Sequence, residues 1–311
     1  MIIDLPNTTV ADVNKRLVSA REEGGAVALG RVLTFLIYTP HDGEEQAIAA
    51  ANEASSEHPM RIVVVTEPEA HSVAPGLSAQ LRLGGDAGAS EVVVLRPEGP
   101  SANSLPGLVN GLLLPDTPVV TWWPSHCPDC MAETSLGQIS QRRILDSQSL
   151  GQGIVGLGRI ASGYRPGDTD LAWGRITGWR TQLAATLDYL EIDTIHAATV
   201  AGVADNPSVA LLAGWLAVSL GQPVTLDPSA PEGIGGVYSV QLDTSEGDIS
   251  LVRTDDQTVL LRVPGQPDFP LLLPRRGLST LVAEELRRLA PDTIYGRVLA
   301  EGIPMLKVIG Q

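Results

Sequence analysis

The sequence predicts an α/β protein, with an N-terminal, mainly parallel sheet flanked by helices and a C-terminal α+β region of antiparallel hairpins and terminal helices. Three observations predict it. Up to about residue 150, short continuously apolar runs alternate with helical stretches, as in a parallel sheet covered on both faces. After residue 230 the pattern shifts to strands separated by turn-forming residues, as in hairpins. The chain has 311 residues, 43% of them hydrophobic, which suits two domains with cores of their own.

Taken in order, Thr8 and Thr9 can cap a helix running to about Glu23, with Val10, Val13, Leu17 and Ala20 on one face. Arg31 to Tyr38 reads as a buried strand and Glu44 to Ser55 as an alanine-rich helix. Arg61 to Thr66 and Glu91 to Arg96 read as further strands, followed by a helix from about Ser104 to Leu113 and a strand from Pro118 to Trp123. These make an α/β, Rossmann-like domain at 1–150. Residues 150–167 are glycine-rich and weakly periodic and read as linker or loop. A long linker helix follows, capped by Asp168 or Asp170, with Ile176, Trp179, Leu183, Leu187 and Leu190 as its apolar stripe. It opens a C-terminal α+β domain at 151–311. This continues with a strand at Thr194–Ala201, a buried helix at Pro207–Leu220, and strands at Val237–Leu242, Asp248–Arg253, Thr258–Val263 and Phe269–Leu273. Ser279 caps a helix with the charged face Glu284, Glu285, Arg287 and Arg288, and a last short helix runs from Asp292 to Glu301.

The formal net charge of −15 argues against nucleic acid or an anionic membrane surface as a main partner. The longest apolar stretch, Val209 to Leu220, is too short to span a membrane, and the N-terminus lacks the pattern of a signal peptide. The two cysteines build no disulfide framework, so a cytoplasmic location is expected.

No metalloprotease, nucleophile-elbow or P-loop motif occurs, and the five histidines, His41, His58, His71, His126 and His196, are scattered, so no catalytic residue, metal site or cofactor is expected. Gly151, Gly153 and Gly156 have the spacing of a dinucleotide fingerprint, but Gly158, Gly163 and Pro166 interrupt the helix such a site requires. Cys127 and Cys130 form a CxxC pair after the strand ending at Trp123. The pair reads as ordinary loop thiols, as a redox switch, or, with His126, as part of a zinc site that lacks its remaining ligands. Arg275 and Arg276, just before a helix, can hold a phosphate or a carboxylate, or can be a solvated pair. The stretch Tyr164–Arg180 is the richest. Tyr164, Arg165, Asp168, Asp170, Trp173, Arg175, Trp179 and Arg180 have either the composition of a partner interface or that of a core helix with inward tryptophans.

At this stretch, YRPGDTDLAW followed by the arginine and the T-G-W-R run, the sequence resembles the OpcA family of glucose-6-phosphate dehydrogenase assembly proteins. The segments Arg21–Leu33, Val119–Pro124, Gln141–Ile144, Leu273–Leu278 and Glu284–Asp292 extend the resemblance nearly end to end. It implies a non-enzymatic, cytoplasmic regulatory subunit that binds glucose-6-phosphate dehydrogenase, supports its oligomeric assembly and acts as an allosteric activator in the oxidative pentose phosphate pathway. The resemblance supplies no catalytic motif. A stand-alone sugar-phosphate enzyme on the N-terminal domain and a redox-responsive regulator acting through Cys127 and Cys130 are the competing readings.

Overall fold

A computed structural model of the chain describes residues 1–23, 30–68, 75–84, 91–188 and 194–309. Leu190 of the expected helix stripe, His71 and residues 24–29 of the first family-like segment lie outside them. Its helices are α1 (Val10–Glu23), α2 (Glu44–Ala54), α3 (Leu105–Val109), α4 (Gly153–Gly163), α5 (Leu171–Arg175), α6 (Thr177–Leu187), α7 (Pro207–Leu220), α8 (Leu278–Arg287) and α9 (Thr293–Arg297). The chain forms two compact units. One comprises Met1–Asp146, Gly167–Thr169 and Leu278–Pro291, and the other Ser147–Pro166, Asp170–Gly277 and Asp292–Gln311. The division expected at residue 150 falls at 146/147, and α8 belongs to the first unit and not to the C-terminal one.

The first sheet has eight strands: β1 (Ile2–Leu5), β2 (Leu33–Thr39), β3 (Met60–Thr66), β4 (Gly76–Arg82), β5 (Glu91–Glu98), β6 (Val119–Trp123), β7 (Arg142–Leu145) and β8 (Asp168–Asp170). Their order is β1-β4-β5-β3-β2-β6-β7-β8. The pairs β5/β3, β3/β2, β2/β6 and β6/β7 are parallel, whereas β1 and β4 run antiparallel at one edge. All of β3 is buried, which is why its middle, residues 62–65, reads as an unbroken apolar run. Arg61 lies opposite Glu91 in the β3/β5 register, and the two form a buried ion pair, joined by Arg31 at 2.9 Å from Glu91. Thr9 caps α1 by accepting from the Asp12 amide, and Val13, Leu17 and Ala20 are buried as the periodicity requires. α8 packs on α2, burying Leu281, Val282 and Leu286. Glu285, read as part of the helix's charged face, is buried and pairs with Arg142.

The second sheet has seven strands: β9 (Ile195–Gly202), β10 (Thr225–Asp227), β11 (Val237–Thr244), β12 (Gly247–Arg253), β13 (Thr258–Arg262), β14 (Phe269–Leu272) and β15 (Lys307–Val308). The order is β14-β13-β12-β11-β9-β10-β15. β11 to β14 form the expected antiparallel meander, while β9, β10 and β15 are parallel. α7 packs on this sheet, with eleven buried residues consistent with its all-round apolar sequence. The segment read as a loop at 150–167 is largely helix α4, and the single long helix expected afterwards is broken at Ile176 into α5 and α6.

Candidate functional site

The stretch from Tyr164 to Arg180 divides its side chains among four tasks. Asp168 is buried in the first unit against the Arg143 guanidinium, and Gly167 takes a φ of +98° beside that same arginine. Asp170 is the cap of α5, its Oδ1 accepting from the Ala172 amide at 2.8 Å and the Ser147 amide at 3.0 Å. Trp173, only 2% exposed, donates from Nε1 to Asp292 Oδ2 at 2.8 Å and lies under the Arg180 guanidinium at 3.6 Å. Tyr295 leans on Trp173, and Tyr164 meets Tyr295 edge to face at 5.9 Å. In the chain itself both tryptophans are therefore core residues, since Trp179 is only 4% exposed. Arg165 is exposed and donates to the Tyr164 carbonyl.

The remaining residues, Arg175 and Trp179, face a cleft of about 650 Å³ in the second unit, and there they meet Arg275 and Arg276. Arginines that stand a hundred residues apart in the sequence thus line one site. Its walls are the end of α5 and start of α6, the N-terminus of α7, the Gly235–Val237 approach to β11, the end of β12, and Leu272–Arg276. Gly178 makes room for Leu273, whose Cδ1 would lie 2.4 Å from a Cβ there. Asn206 caps α7 at the cleft by accepting from the Ser208 amide at 3.0 Å.

Arg253 is the fourth guanidinium of the cleft and the one that motif reasoning missed. It is buried, donates to the Leu273 carbonyl at 3.1 Å, and sits 5.4 Å from the centre of the Trp179 ring. The signal was present, because Ile249, Leu251 and Arg253 share the inward face of β12 by simple alternation. Arg275 donates to Asp256 at 2.8 Å and to the Gly235 carbonyl at 2.6 Å. Burial holds the Arg253 guanidinium below the usual arginine range, and the neighbouring charge of Arg275 pushes it the same way against Asp256 and Asp255.

Other candidate residues are placed elsewhere. Gly153 has a φ of +46° and lets the Ala204–Asp205 backbone approach to about 3.0 Å from where a Cβ would stand. That backbone closes on the N-terminus of α4, so Gly153 serves close packing where a pyrophosphate would sit, whereas Gly151 has open space at its Cβ position and Gly156 meets the Gln152 side chain. Cys127 and Cys130 are half-buried, not joined in a disulfide, and follow β6 near the point where the parallel strand order reverses. At that switch point α2 begins with Glu44, whose buried carboxylate stands in the first turn of the helix and is held by Arg96 at 2.6 Å. Among the described residues no group of three metal-ligating side chains converges. No helix among them is long and apolar enough to cross a membrane.

Comparison with known proteins adds two findings. Residues 51–162 match the family model for the N-terminal domain of the glucose-6-phosphate dehydrogenase subunit, and residues 166–299 match the model for the C-terminal domain of that same family. Among solved structures, the chain is similar to myo-inositol dehydrogenase from Lactobacillus casei in complex with NAD(H) and myo-inositol, at 11% identity over 88% of this chain and 93% of that one, with a TM-score of 0.41. It is also similar to an oxidoreductase from Pseudomonas syringae, at 9% identity over 87% of each chain, with a TM-score of 0.40. No curated protein gives a match.

Proposed function

The chain belongs to the OpcA family of glucose-6-phosphate dehydrogenase subunits, and from that membership we propose that it is a non-catalytic, cytoplasmic assembly subunit that activates the dehydrogenase. The observation that carries this reading is the pair of family matches, which together take in most of both units. The chemistry of the cleft supports it. Among the described residues lining the cleft there is no Asp, Glu, His, Cys or Lys, so it holds arginine charge without a group suited to proton transfer near neutral pH. That composition disfavours a stand-alone sugar-phosphate enzyme at this cleft.

Activation of a partner requires the assembly protein to bind the active form of the dehydrogenase more tightly than the inactive one. Couplings of this kind typically correspond to about 5- to 150-fold. Arg165 and Arg175 are the members of the Tyr164–Arg180 stretch that we assign to partner contact.

The test combines the purified chain with purified glucose-6-phosphate dehydrogenase. Light scattering after gel filtration is expected to show a complex larger than either protein, and cofactor reduction at fixed dehydrogenase concentration is expected to rise. Arg175→Ala should weaken the rise without altering the circular dichroism spectrum. A mixture that shows neither association nor a kinetic change overturns the reading, as does substrate turnover by the chain alone.

A further inference from the structure

We propose that the arginine cleft of the second unit is a binding site for a small phosphorylated metabolite, a phosphate ester on a polyhydroxylated carrier. The free chain carries every residue of the site, so binding is measured without the dehydrogenase.

Charge placement is the first argument. Acidic residues outnumber basic ones 36 to 21 in this chain. Yet Arg175, Arg253, Arg275 and Arg276 converge on one cleft, and the carboxylate of Asp256, which Arg275 holds at 2.8 Å, stands outside its described lining residues. Side chains from separate segments of the chain are needed to assemble this arrangement, so it is not a run of charge along one exposed helix.

Construction of the site is the second. Arg253 reaches the cleft from a buried strand position and is fixed there by the Leu273 carbonyl. Burial and the neighbouring Arg275 disfavour the charge of Arg253 against the pull of Asp256 and Asp255, and a dianionic phosphate beside it relieves that. The N-terminus of the fourteen-residue helix α7 opens on the same cleft and adds positive potential. Gly236, at a φ of +72°, keeps the wall beside Arg275 free of a side chain that would lie about 3.7 Å from the guanidinium.

Size and lining select the carrier. A volume of about 650 Å³ lies in the range of small-molecule sites. Thr181, Gln182 and Gln148 offer hydroxyl and amide groups to a polyol. Trp179 is the single aromatic residue among the described lining, and at 4% exposure it has no open face on which a base could stack. A nucleotide is therefore a poor fit, and a phosphorylated polyol a good one.

Isothermal titration of the full chain with a hexose 6-phosphate, inorganic phosphate and the unphosphorylated hexose tests this. The expected result is one hexose phosphate bound per chain, at least about tenfold weaker binding of inorganic phosphate, and no binding of the free sugar. Arg276→Ala should weaken binding about tenfold or more, and Arg276→Lys less than that. Absence of saturable binding to the wild-type chain overturns the proposal, whatever the variants do. Equal affinity for phosphate and hexose phosphate, or an Arg276→Ala variant that melts and binds like the wild type, overturns it as well.

Discussion

Asp168 lies in a stretch whose composition suggests a partner surface, yet its carboxylate is committed to Arg143 inside the first unit. Both groups are nearly inaccessible, at 2% and 7% exposure, so protein contacts, the ion pair among them, replace their hydration shells. Its removal from one side only is the damaging change. Asp168→Asn should therefore destabilise the chain by roughly 3–5 kcal/mol, because Arg143 stays buried without its counter-charge. Arg165→Ala, a few residues away and exposed, should change stability by less than about 0.5 kcal/mol. Urea denaturation of the two variants side by side checks the contrast, and equal effects would refute it. The same division explains why residue types alone misled at this stretch. Tryptophan, arginine and aspartate are what an interface and a polar core both use, and only the three-dimensional partners, Asp292 for Trp173 and Arg143 for Asp168, separate the two.

At the scale of elements, the sequence was legible wherever burial was uniform. β3 is buried throughout and α7 nearly so, and their expected ranges agree with the observed ones to within a residue. Elements that mix signals were missed. β4 alternates half-buried and buried residues at the antiparallel edge of the first sheet, and its Gly76–Arg82 sequence carries no β-branched side chain. α4 contains Gly153, Gly156, Gly158 and Gly163, which argue against a helix by propensity; Leu157 and Ile160 are buried from it, and tertiary packing outweighs the propensity. The cleft was half legible: Arg275, Arg276 and Arg175 stood out as arginines near helix ends, while Arg253 was hidden within a strand whose apolar face it shares. Glycine roles at this scale can be told apart by substitution. Gly158 is exposed in α4 with open space around it, so Gly158→Ala should stabilise by up to about 1 kcal/mol. A Cβ on Gly302 would lie 2.3 Å from the Gly214 carbonyl oxygen of α7, a backbone atom that no rotamer change can move. Gly302→Ala should cost roughly 1–3 kcal/mol. Thermal melts that rank the two variants the other way would show that the close approach of α7 to the C-terminal turn is dispensable.

Over the whole molecule, chain order and structural units do not coincide, and this sets what a fragment can do. The first unit draws in Gly167–Thr169 and Leu278–Pro291, so a cut at residue 150 removes parts of its own core. Fragment 1–150 keeps Arg142 and Arg143 but loses Glu285 and Asp168, the carboxylates that neutralise them. It also loses α8, whose Leu281, Val282 and Leu286 are buried in that unit, where the helix packs on α2. Two unpaired buried guanidiniums, at roughly 3–5 kcal/mol each, amount to most of the 5–15 kcal/mol that holds a typical domain folded. The fragment should therefore lack a cooperative thermal transition and bind a hydrophobic dye, although it contains seven of the eight strands of its sheet. Co-expression with residues 151–311 should restore cooperative melting, since that piece carries the missing carboxylates and α8. A fragment 1–150 that melts cooperatively on its own would show that these ion pairs and α8 are peripheral to the stability of the unit. The consequence for function is direct: a binding experiment on either half taken alone probes a damaged protein, so association with the dehydrogenase has to be measured on the full chain.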